Sequence, residues 1–253
     1  MQRDDAQFKD HFSALSEGYS RFRPSYPSEL FEYLSMLTPE HEMAWDCATG
    51  TGQAAVALTD HFDSVIATDA SAQQIEHARK HPSVAYRVAV AESSAFEAET
   101  VDLITVAQAL HWFDIPRFMQ EAQRVLKPKG VIAVWTYNLF RVSSEVDAVV
   151  DDLYWNVLDG YWAPERKMVE SGYSDIEMPF QQIEAPQFAM KARWSLERLM
   201  GYLGTWSAIG KYQQVGGVDP LVETAATLQR LWGDVSAEKE ISWPLSLRVG
   251  VNG

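Results

Sequence analysis

The stretch Trp45-Asp46-Cys47-Ala48-Thr49-Gly50-Thr51-Gly52-Gln53 decides the fold of this 253-residue chain. It joins a short apolar run, Met43–Cys47, to a segment with helical spacing, Gly52–His61. Two glycines in a strand-to-helix turn let the backbone approach a ligand closely and leave free N–H groups at the helix start. The stretch therefore predicts a ligand site at the carboxyl end of a buried strand.

Short apolar runs and helical segments alternate from this stretch up to residue 138. The predicted strands are Met43–Cys47, Ser64–Thr68, Val84–Ala89, Val101–Val106 and Val131–Thr136, and the predicted helices are Gly52–His61, Ser71–His81 and Ile115–Leu126. Ser71 is the expected N-cap of the second helix, with Gln74 three residues on. Strands that alternate with helices indicate an α/β fold with a parallel sheet covered on both faces.

The regular alternation stops after Asn138. Residues 141–172 are predicted to be helical and are rich in aromatic side chains. The remaining predicted features are a strand near Phe180–Met190, a helix that opens at Ser195, a loop with Gly210, Gly216 and Gly217, a helix from Asp219, and a closing strand, Ile241–Val251. Neither an internal repeat nor a linker is visible, so the chain reads as one domain.

Composition and charge exclude several classes of function. With 35 acidic and 21 basic residues the net charge is -14, which disfavours a nucleic-acid partner. Cys47 is the only cysteine, so we expect neither an intrachain disulfide nor a cysteine-based metal site. The apolar runs are too short for a membrane helix, and Met1–Asp10 lacks an apolar signal-peptide core. We therefore expect a cytoplasmic protein with no membrane partner, and its oligomeric state stays open.

An acidic residue downstream of the turn suggests that the ligand is a nucleotide. Asp69 ends the second predicted strand, 17 residues after Gly52, where a carboxylate can accept hydrogen bonds from both hydroxyls of a ribose. Gly50 and Gly52, followed by Ala55, also fit the spacing of a dinucleotide-binding turn. The residues alone therefore leave open a nicotinamide dinucleotide, another nucleotide cofactor, or glycines with a purely structural role.

The first 138 residues carry further motifs in a defined order. The turn contributes an acidic residue and three small residues (Asp46, Ala48, Gly50, Gly52), and Asp69 follows at the end of the next strand. The later motifs are, in chain order, Val90-Ala91-Glu92, Val101–Thr105 with Gln108-Ala109-Leu110-His111-Trp112-Phe113, and Arg124-Val125-Leu126-Lys127-Pro128-Lys129-Gly130. This set closely resembles class I S-adenosylmethionine-dependent methyltransferases. The resemblance is nearest to the branch with trans-aconitate methyltransferase-like enzymes.

The resemblance implies that S-adenosylmethionine is the cofactor and assigns residues to it. The implied cofactor-binding residues are Asp46, Ala48, Thr49, Gly50, Gly52, Gln53, Asp69, Ala70, Ala91, Glu92 and Gln108. Two positions depart from the family pattern. Ala48 replaces the first glycine, which should narrow the space beside the methionine part of the cofactor. Val90 replaces the usual adenine-binding Asp, so the Ala91 backbone, with Glu92 or Ser93, would serve instead.

The resemblance also implies the architecture. We expect a Rossmann-like, doubly wound and mostly parallel sheet of seven strands, with an antiparallel last strand and a helical insertion. Residues 1–253 would form a single methyltransferase domain. Its parts would be an N-terminal cap segment (1–40), a cofactor-binding core (43–138), a substrate-side insertion (141–235) and the closing strand (241–251).

A second set of residues is expected on the acceptor side. By resemblance the N-terminal segment lies over the cofactor, so Tyr19, Arg23 and Tyr26 are candidate substrate-binding residues, together with His111 and Trp112. An arginine suits a carboxylate because its planar fork binds both oxygens, and Arg141 or Arg193 could share that task. The aromatic residues could instead only dock the segment on the sheet. His111 is either a catalytic base or a pocket wall.

These observations favour methyl transfer from S-adenosylmethionine to a small-molecule acceptor, with a small organic acid as the preferred class. Two alternatives stay open at this point. One is an oxidoreductase that uses a nicotinamide dinucleotide at the glycine turn. The other is a catalytically silent nucleotide-binding module, to which the replacements at Ala48 and Val90 give some weight.

Overall fold

The structure is a computed structural model that describes residues 24–216 and 218–253. The sequence predictions for Tyr19, Arg23 and Gly217 lie outside the described residues. The strands are β1 (Met43–Cys47), β2 (Ser64–Asp69), β3 (Val84–Val88), β4 (Val101–Ala107), β5 (Leu126–Tyr137), β6 (Gln181–Ile183), β7 (Phe188–Trp194) and β8 (Lys239–Val251). The helices are α1 (Ser28–Leu37), α2 (Gln53–Leu58), α3 (Ala72–His77), α4 (Ile115–Val125), α5 (Ser144–Asp152), α6 (Arg166–Glu170), α7 (Leu196–Gly204), α8 (Ser207–Gln214) and α9 (Leu221–Trp232).

The strands form one sheet in the order β3-β2-β1-β4-β5-β8-β6, and β7 also pairs with β8. Strands β1 to β5 are parallel, whereas β8 runs antiparallel to β5. The order reverses between β1 and β4, and open parallel sheets bind ligands at that point, beyond the carboxyl ends of the strands. The expected doubly wound α/β fold is confirmed.

Among the described residues the sheet has eight strands where seven were expected. The region predicted as one strand near Phe180–Met190 forms two, β6 and β7, which pair with opposite ends of β8. Because β8 is 13 residues long, it offers enough backbone for both partners. That pairing is a long-range property that the local pattern does not contain.

Several boundaries differ from the prediction for identifiable reasons. Helix α3 ends at His77 rather than His81, because the chain leaves the helix so that the Arg79 N–H can donate to the Thr51 carbonyl at 3.0 Å. Ser71 caps this helix as expected, accepting from the Gln74 N–H at 3.3 Å. Strand β5 begins at Leu126, earlier than predicted. Gly210 lies inside helix α8 rather than in a loop.

Two apolar layers cover the sheet. Alternate residues of β5 point to opposite faces, so that Ala133 and Trp135 join one buried cluster and Ile132 and Val134 the other. Helices α1, α2, α5 and α7 to α9 contribute buried side chains to the Trp135 layer, whereas α4 covers the opposite face. Helices α5 and α7 to α9 therefore lie on the same face of the sheet as α2, whereas Val169 of α6 and Tyr173 belong to the opposite layer.

A buried carboxylate organises the amino ends of β1, β4 and β5. Asp102 is almost fully buried and accepts the backbone N–H groups of Glu42 and Met43 at 2.9 and 2.8 Å. The Lys127 ammonium lies 2.9 Å from its other oxygen. The site residues described below lie at the opposite, carboxyl ends of the strands. None of the helices in the described residues has the length and apolarity that crossing a membrane requires.

Candidate active site

The turn between β1 and α2 winds through left-handed backbone conformations. Ala48, Gly50 and Gly52 have φ of 55°, 53° and 76°. A Cβ at Gly52 would collide with the hydroxyl of Tyr86, whereas a Cβ at Gly50 would meet open space. Gly52 is thus required for packing inside the protein. Gly50 leaves an open cradle of backbone that a ligand can approach.

Asp46 lies buried beneath this turn and holds it in place. Its carboxylate accepts hydrogen bonds from the Thr105 hydroxyl at 2.8 Å, the Thr49 hydroxyl at 2.5 Å and the Ala55 N–H at 3.1 Å. Burial raises its pKa to about 6, although these hydrogen bonds oppose the shift. The structure therefore gives Asp46 an internal partner set that positions the turn. A direct contact with the cofactor stays a prediction.

Asp69 closes the same turn from the end of β2. One oxygen accepts the Gly50 N–H and the other accepts the Ser71 N–H, each at 2.9 Å. The side chain is half-buried, and Ala70 beside it is half-buried as well. A carboxylate oxygen has two lone pairs, so a carboxylate at this position is a suitable acceptor for a ligand hydroxyl.

Gln53 fastens the segment before α1 to the glycine turn. Its amide donates to the Pro24 carbonyl at 3.2 Å and accepts the Tyr26 N–H at 3.3 Å. The Tyr26 ring packs edge-on against Trp135, with centroids 5.4 Å apart. Tyr26 therefore lies beside the glycine turn, and its role as a substrate-binding residue stays a prediction. The indole Nε1 of Trp135 is a buried polar atom with no hydrogen-bond partner among the described residues.

The loop after β3 carries the residues to which the resemblance assigns the adenine contact. Ala91 is buried, whereas Val90 is half exposed to solvent. Glu92 accepts the Asp114 N–H at 2.8 Å, so it anchors the loop to the start of α4. A contact of Ala91 or Glu92 with an adenine ring stays a prediction.

Gln108 joins the carboxyl ends of β4 and β5. It has a φ of 56°, and its amide oxygen accepts from the Thr136 hydroxyl at 2.5 Å and the Tyr137 N–H at 2.9 Å. Its amide nitrogen donates to the Tyr137 carbonyl at 3.0 Å. Since these bonds occupy both ends of the amide, Gln108 sets the spacing of the two strand ends from inside the protein.

His111 lies on the short helical turn Leu110–Trp112 after β4, with Trp112 packed against it at a centroid distance of 4.7 Å. Its Nδ1 is 2.8 Å from the hydroxyl of Tyr173, which is fully buried. Burial, with a smaller contribution from the Arg166 charge, lowers the pKa of His111 to about 4. Burial raises the pKa of Tyr173. Both groups are therefore neutral near pH 7.

Arg166 contributes a positive charge at this edge of the sheet, and the sequence analysis did not identify it. Arg166, the first residue of α6, donates to Asn138 Oδ1 at 2.7 Å and to the Tyr154 hydroxyl at 2.8 Å. By contrast, Arg141 pairs with Asp151 at 2.9 Å and Arg193 lies 3.8 Å from Glu238. The expectation that either of these surface arginines binds a substrate carboxylate finds no support in their positions. The signal available for Arg166 was its place after the aromatic segment 154–162.

Comparisons with known proteins agree with this geometry. Residues 45–134 match the family described as methyltransferase domain. A Dictyostelium discoideum protein named as a methyltransferase is 34% identical over 239 residues, which cover 93% of this chain and 91% of the relative. A solved structure from Anaeromyxobacter dehalogenans, named as a type II methyltransferase, is 44% identical with a TM-score of 0.87, covering 91% of this chain and 98% of that one. The chain therefore belongs to the class I S-adenosylmethionine-dependent methyltransferases.

A more distant structural match shows the fold alone. A methyltransferase structure from Bacillus halodurans has a TM-score of 0.50 at 20% identity, over 88% of this chain and 98% of that one. Membership in the methyltransferase family argues against the nicotinamide-dependent oxidoreductase. Within the described residues, no group of three or more His, Cys, Asp or Glu side chains is arranged to hold a metal ion.

Proposed function

We propose that this chain binds S-adenosylmethionine at the turn between β1 and α2 and transfers its methyl group to a small carboxylic acid. The donor set fits the cofactor. Gly50 leaves open space above the turn, and Asp69 at the end of β2 can accept hydrogen bonds from a ribose while it holds the Gly50 N–H. When bound, S-adenosylmethionine would supply a methyl group bonded to a sulfonium sulfur, and the leaving group would be the neutral thioether S-adenosylhomocysteine.

The neutral state of His111 and Tyr173 near pH 7 supports a carboxylic acid as the acceptor. His111 has a pKa lowered to about 4, so its imidazole is a weak base for removing a proton from an alcohol or an ammonium group. Tyr173 keeps its proton because burial raises its pKa. A carboxylate is already a nucleophile near pH 7 and needs no base. The protein then contributes alignment of the two reactants and exclusion of water.

In this proposal His111 and Trp112 form a wall of the acceptor site. Tyr26 closes the site from the segment that Gln53 fastens to the turn. Residues 141–235 act as the substrate-side part of a single domain. The cytoplasmic location expected from the sequence is also part of the proposal, and cell fractionation tests it.

Calorimetric titration tests the cofactor assignment. We expect wild-type protein to bind S-adenosylmethionine and S-adenosylhomocysteine, and Asp69→Asn to bind both at least about tenfold more weakly, because a ribose hydroxyl loses a charged acceptor. Asp63→Asn, at an exposed position before β2, is the matched control and should bind like wild type. Equal affinity in Asp69→Asn and wild type would overturn the assignment of Asp69 to the ribose.

A label-transfer assay tests the acceptor class. The enzyme is incubated with methyl-tritiated S-adenosylmethionine and a panel of carboxylic acids, and the products are treated with base. Methyl esters hydrolyse and release volatile tritiated methanol, whereas methyl ethers and methylamines do not. Base-labile label with at least one acid supports the proposal. Stable label with alcohols or amines, and none with acids, contradicts it. Methyl transfer to any acceptor removes the silent-module alternative.

A further inference from the structure

Arg166 combines a fixed position with an unpaired charge. Its Nε donates to the Tyr154 hydroxyl at 2.8 Å, and one terminal nitrogen donates to Asn138 Oδ1 at 2.7 Å. Within the described residues, the other terminal nitrogen has no hydrogen-bond partner and no carboxylate forms an ion pair with this side chain. The side chain is half-buried. A partly buried cation without a counter-ion is costly unless an anion completes the site.

We infer that Arg166 binds the carboxylate of the methyl acceptor and determines that the acceptor is an acid. This inference rests on the proposed function, since it names the residue that recognises the proposed substrate class. Arginine suits the task because its planar fork offers N–H groups in the geometry of a carboxylate.

The position of Arg166 places its charge at the correct edge of the sheet. Asn138 directly follows β5, and α6 contacts the turn Leu110–Trp112 that follows β4. The charge of Arg166 also contributes to the lowered pKa of His111. Arg166 therefore lies over the carboxyl ends of β4 and β5. In a doubly wound sheet this is the side on which ligands bind.

The surroundings of Arg166 hold the guanidinium in a defined orientation before any ligand binds. The Cζ atom of Arg166 lies 5.5 Å from the ring centre of Tyr154 and 5.2 Å from that of Trp162. Glu170 is linked to Arg166 through the Tyr154 hydroxyl, which donates to the Glu170 carboxylate at 2.7 Å. Among the described residues no carboxylate contacts the guanidinium directly, so one of its terminal nitrogens can bind a ligand anion.

The aromatic neighbours indicate the body of the acid. Trp162 packs against Trp206 with centroids 5.6 Å apart, and both half-buried rings contact Tyr154, whereas only Trp162 lies against Arg166. An apolar, flat body would cover such rings at little desolvation cost, unlike a polyhydroxy acid. The structure thus favours small unsaturated or aromatic carboxylic acids, with the carboxylate on Arg166.

The test compares acids with their uncharged amides on the full-length protein. The probes are benzoate, trans-cinnamate and sorbate, with benzamide, cinnamamide and sorbamide as controls, titrated into protein saturated with S-adenosylhomocysteine. For wild type we expect binding of at least one acid and an affinity for its amide that is weaker by about 30-fold or more, the effect of losing a charged hydrogen-bonded pair. A wild-type protein that binds none of the acids, or binds acid and amide equally, overturns the inference.

Two variants then assign the effect to Arg166. In Arg166→Gln the Kd for the acid should rise about 30-fold or more, while the Kd for S-adenosylhomocysteine stays within about threefold. In Arg166→Lys, which keeps the charge but loses the fork, the rise should be smaller; if the Gln variant does not fold, a rise of about fivefold or more in this variant carries the test. Arg141→Gln, at the surface ion pair, is the matched control. Unchanged acid affinity in a folded Arg166 variant overturns the inference.

A failure of the inference about Arg166 can be distinguished from a failure of the proposed function. If wild type forms base-labile methyl esters and a folded Arg166 variant does so with an unchanged KM for the acid, the inference about Arg166 is wrong and the proposed function stands. If wild type binds acids through Arg166 but the label is stable to base, the inference about recognition stands. The atom that accepts the methyl group is then not the carboxylate oxygen.

Discussion

Replacement of Asp46 by Asn should make the free energy of unfolding less dependent on pH, because the Asp46 carboxylate is buried. Asp46 is 1% exposed and its pKa is raised from 3.8 to about 6, chiefly by burial. A group with a raised acidic pKa binds more protons in the folded state than in the unfolded state between pH 4 and pH 6. The free energy of unfolding therefore falls as the pH rises through this window and levels off above pH 6.

The magnitude follows from the shift itself. A difference of about two units at 1.36 kcal/mol each corresponds to a loss of roughly 3 kcal/mol over the whole titration. About half of this loss falls above pH 5, where the titration can be followed away from the strongly acidic range. Comparing Asp46→Asn with wild type at each pH isolates this loss, because the contributions of the other titratable groups cancel.

Urea unfolding at several pH values between 5 and 7.5 is the assay. We expect the difference in free energy of unfolding to move by about 1.4 kcal/mol in favour of Asp46→Asn as the pH rises. Asp46→Asn also loses some of the hydrogen bonds from Thr49, Thr105 and Ala55, because an amide has fewer acceptor positions than a carboxylate. This loss lowers the free energy of unfolding of the variant by the same amount at every pH. A difference that stays constant with pH, or moves in favour of wild type, would refute the reasoning.

Ala48, Lys127 and His111 are the sites of the remaining predictions. Ala48→Gly should raise the free energy of unfolding by about 0.5–1 kcal/mol, because it relieves a left-handed backbone at a φ of 55°; lower stability in urea unfolding would contradict this. Lys127→Met should cost about 3 kcal/mol, since it leaves the buried carboxylate of Asp102 without its cation, and a loss below about 1 kcal/mol in the same assay would show that the pair is dispensable. The pH profile of kcat/KM should show no inflection from His111 between pH 5.5 and 8, because its pKa is about 4; an inflection that disappears in His111→Gln would assign the residue a titrating role. The same variant should keep activity within about tenfold of wild type if His111 is a wall, whereas removal of a general base costs about 100-fold or more.

The position of the glycine turn was predictable from the sequence because its determinants are local. A short apolar run followed by closely spaced glycines predicts a strand-to-helix turn, and Asp69 ends the next strand. The N-cap at Ser71 is equally local, since it depends on a side chain and a backbone group three residues apart. The fold class follows from the repetition of such units along 43–138.

The acceptor side could not be predicted in the same way, because its contacts join residues that are distant along the chain. His111 meets Tyr173 across 62 positions, and Arg166 meets Asn138 across 28. The pairing of β6 and β7 with opposite ends of β8 is also long-range. Periodicity and capping report on neighbours within one or two helical turns or on alternate strand residues. The sequence by itself therefore determined the α/β core and the glycine turn. The tertiary structure decided the pKa of Asp46 and His111 and the partners of Arg166, since burial and charge depend on what the fold packs around each group.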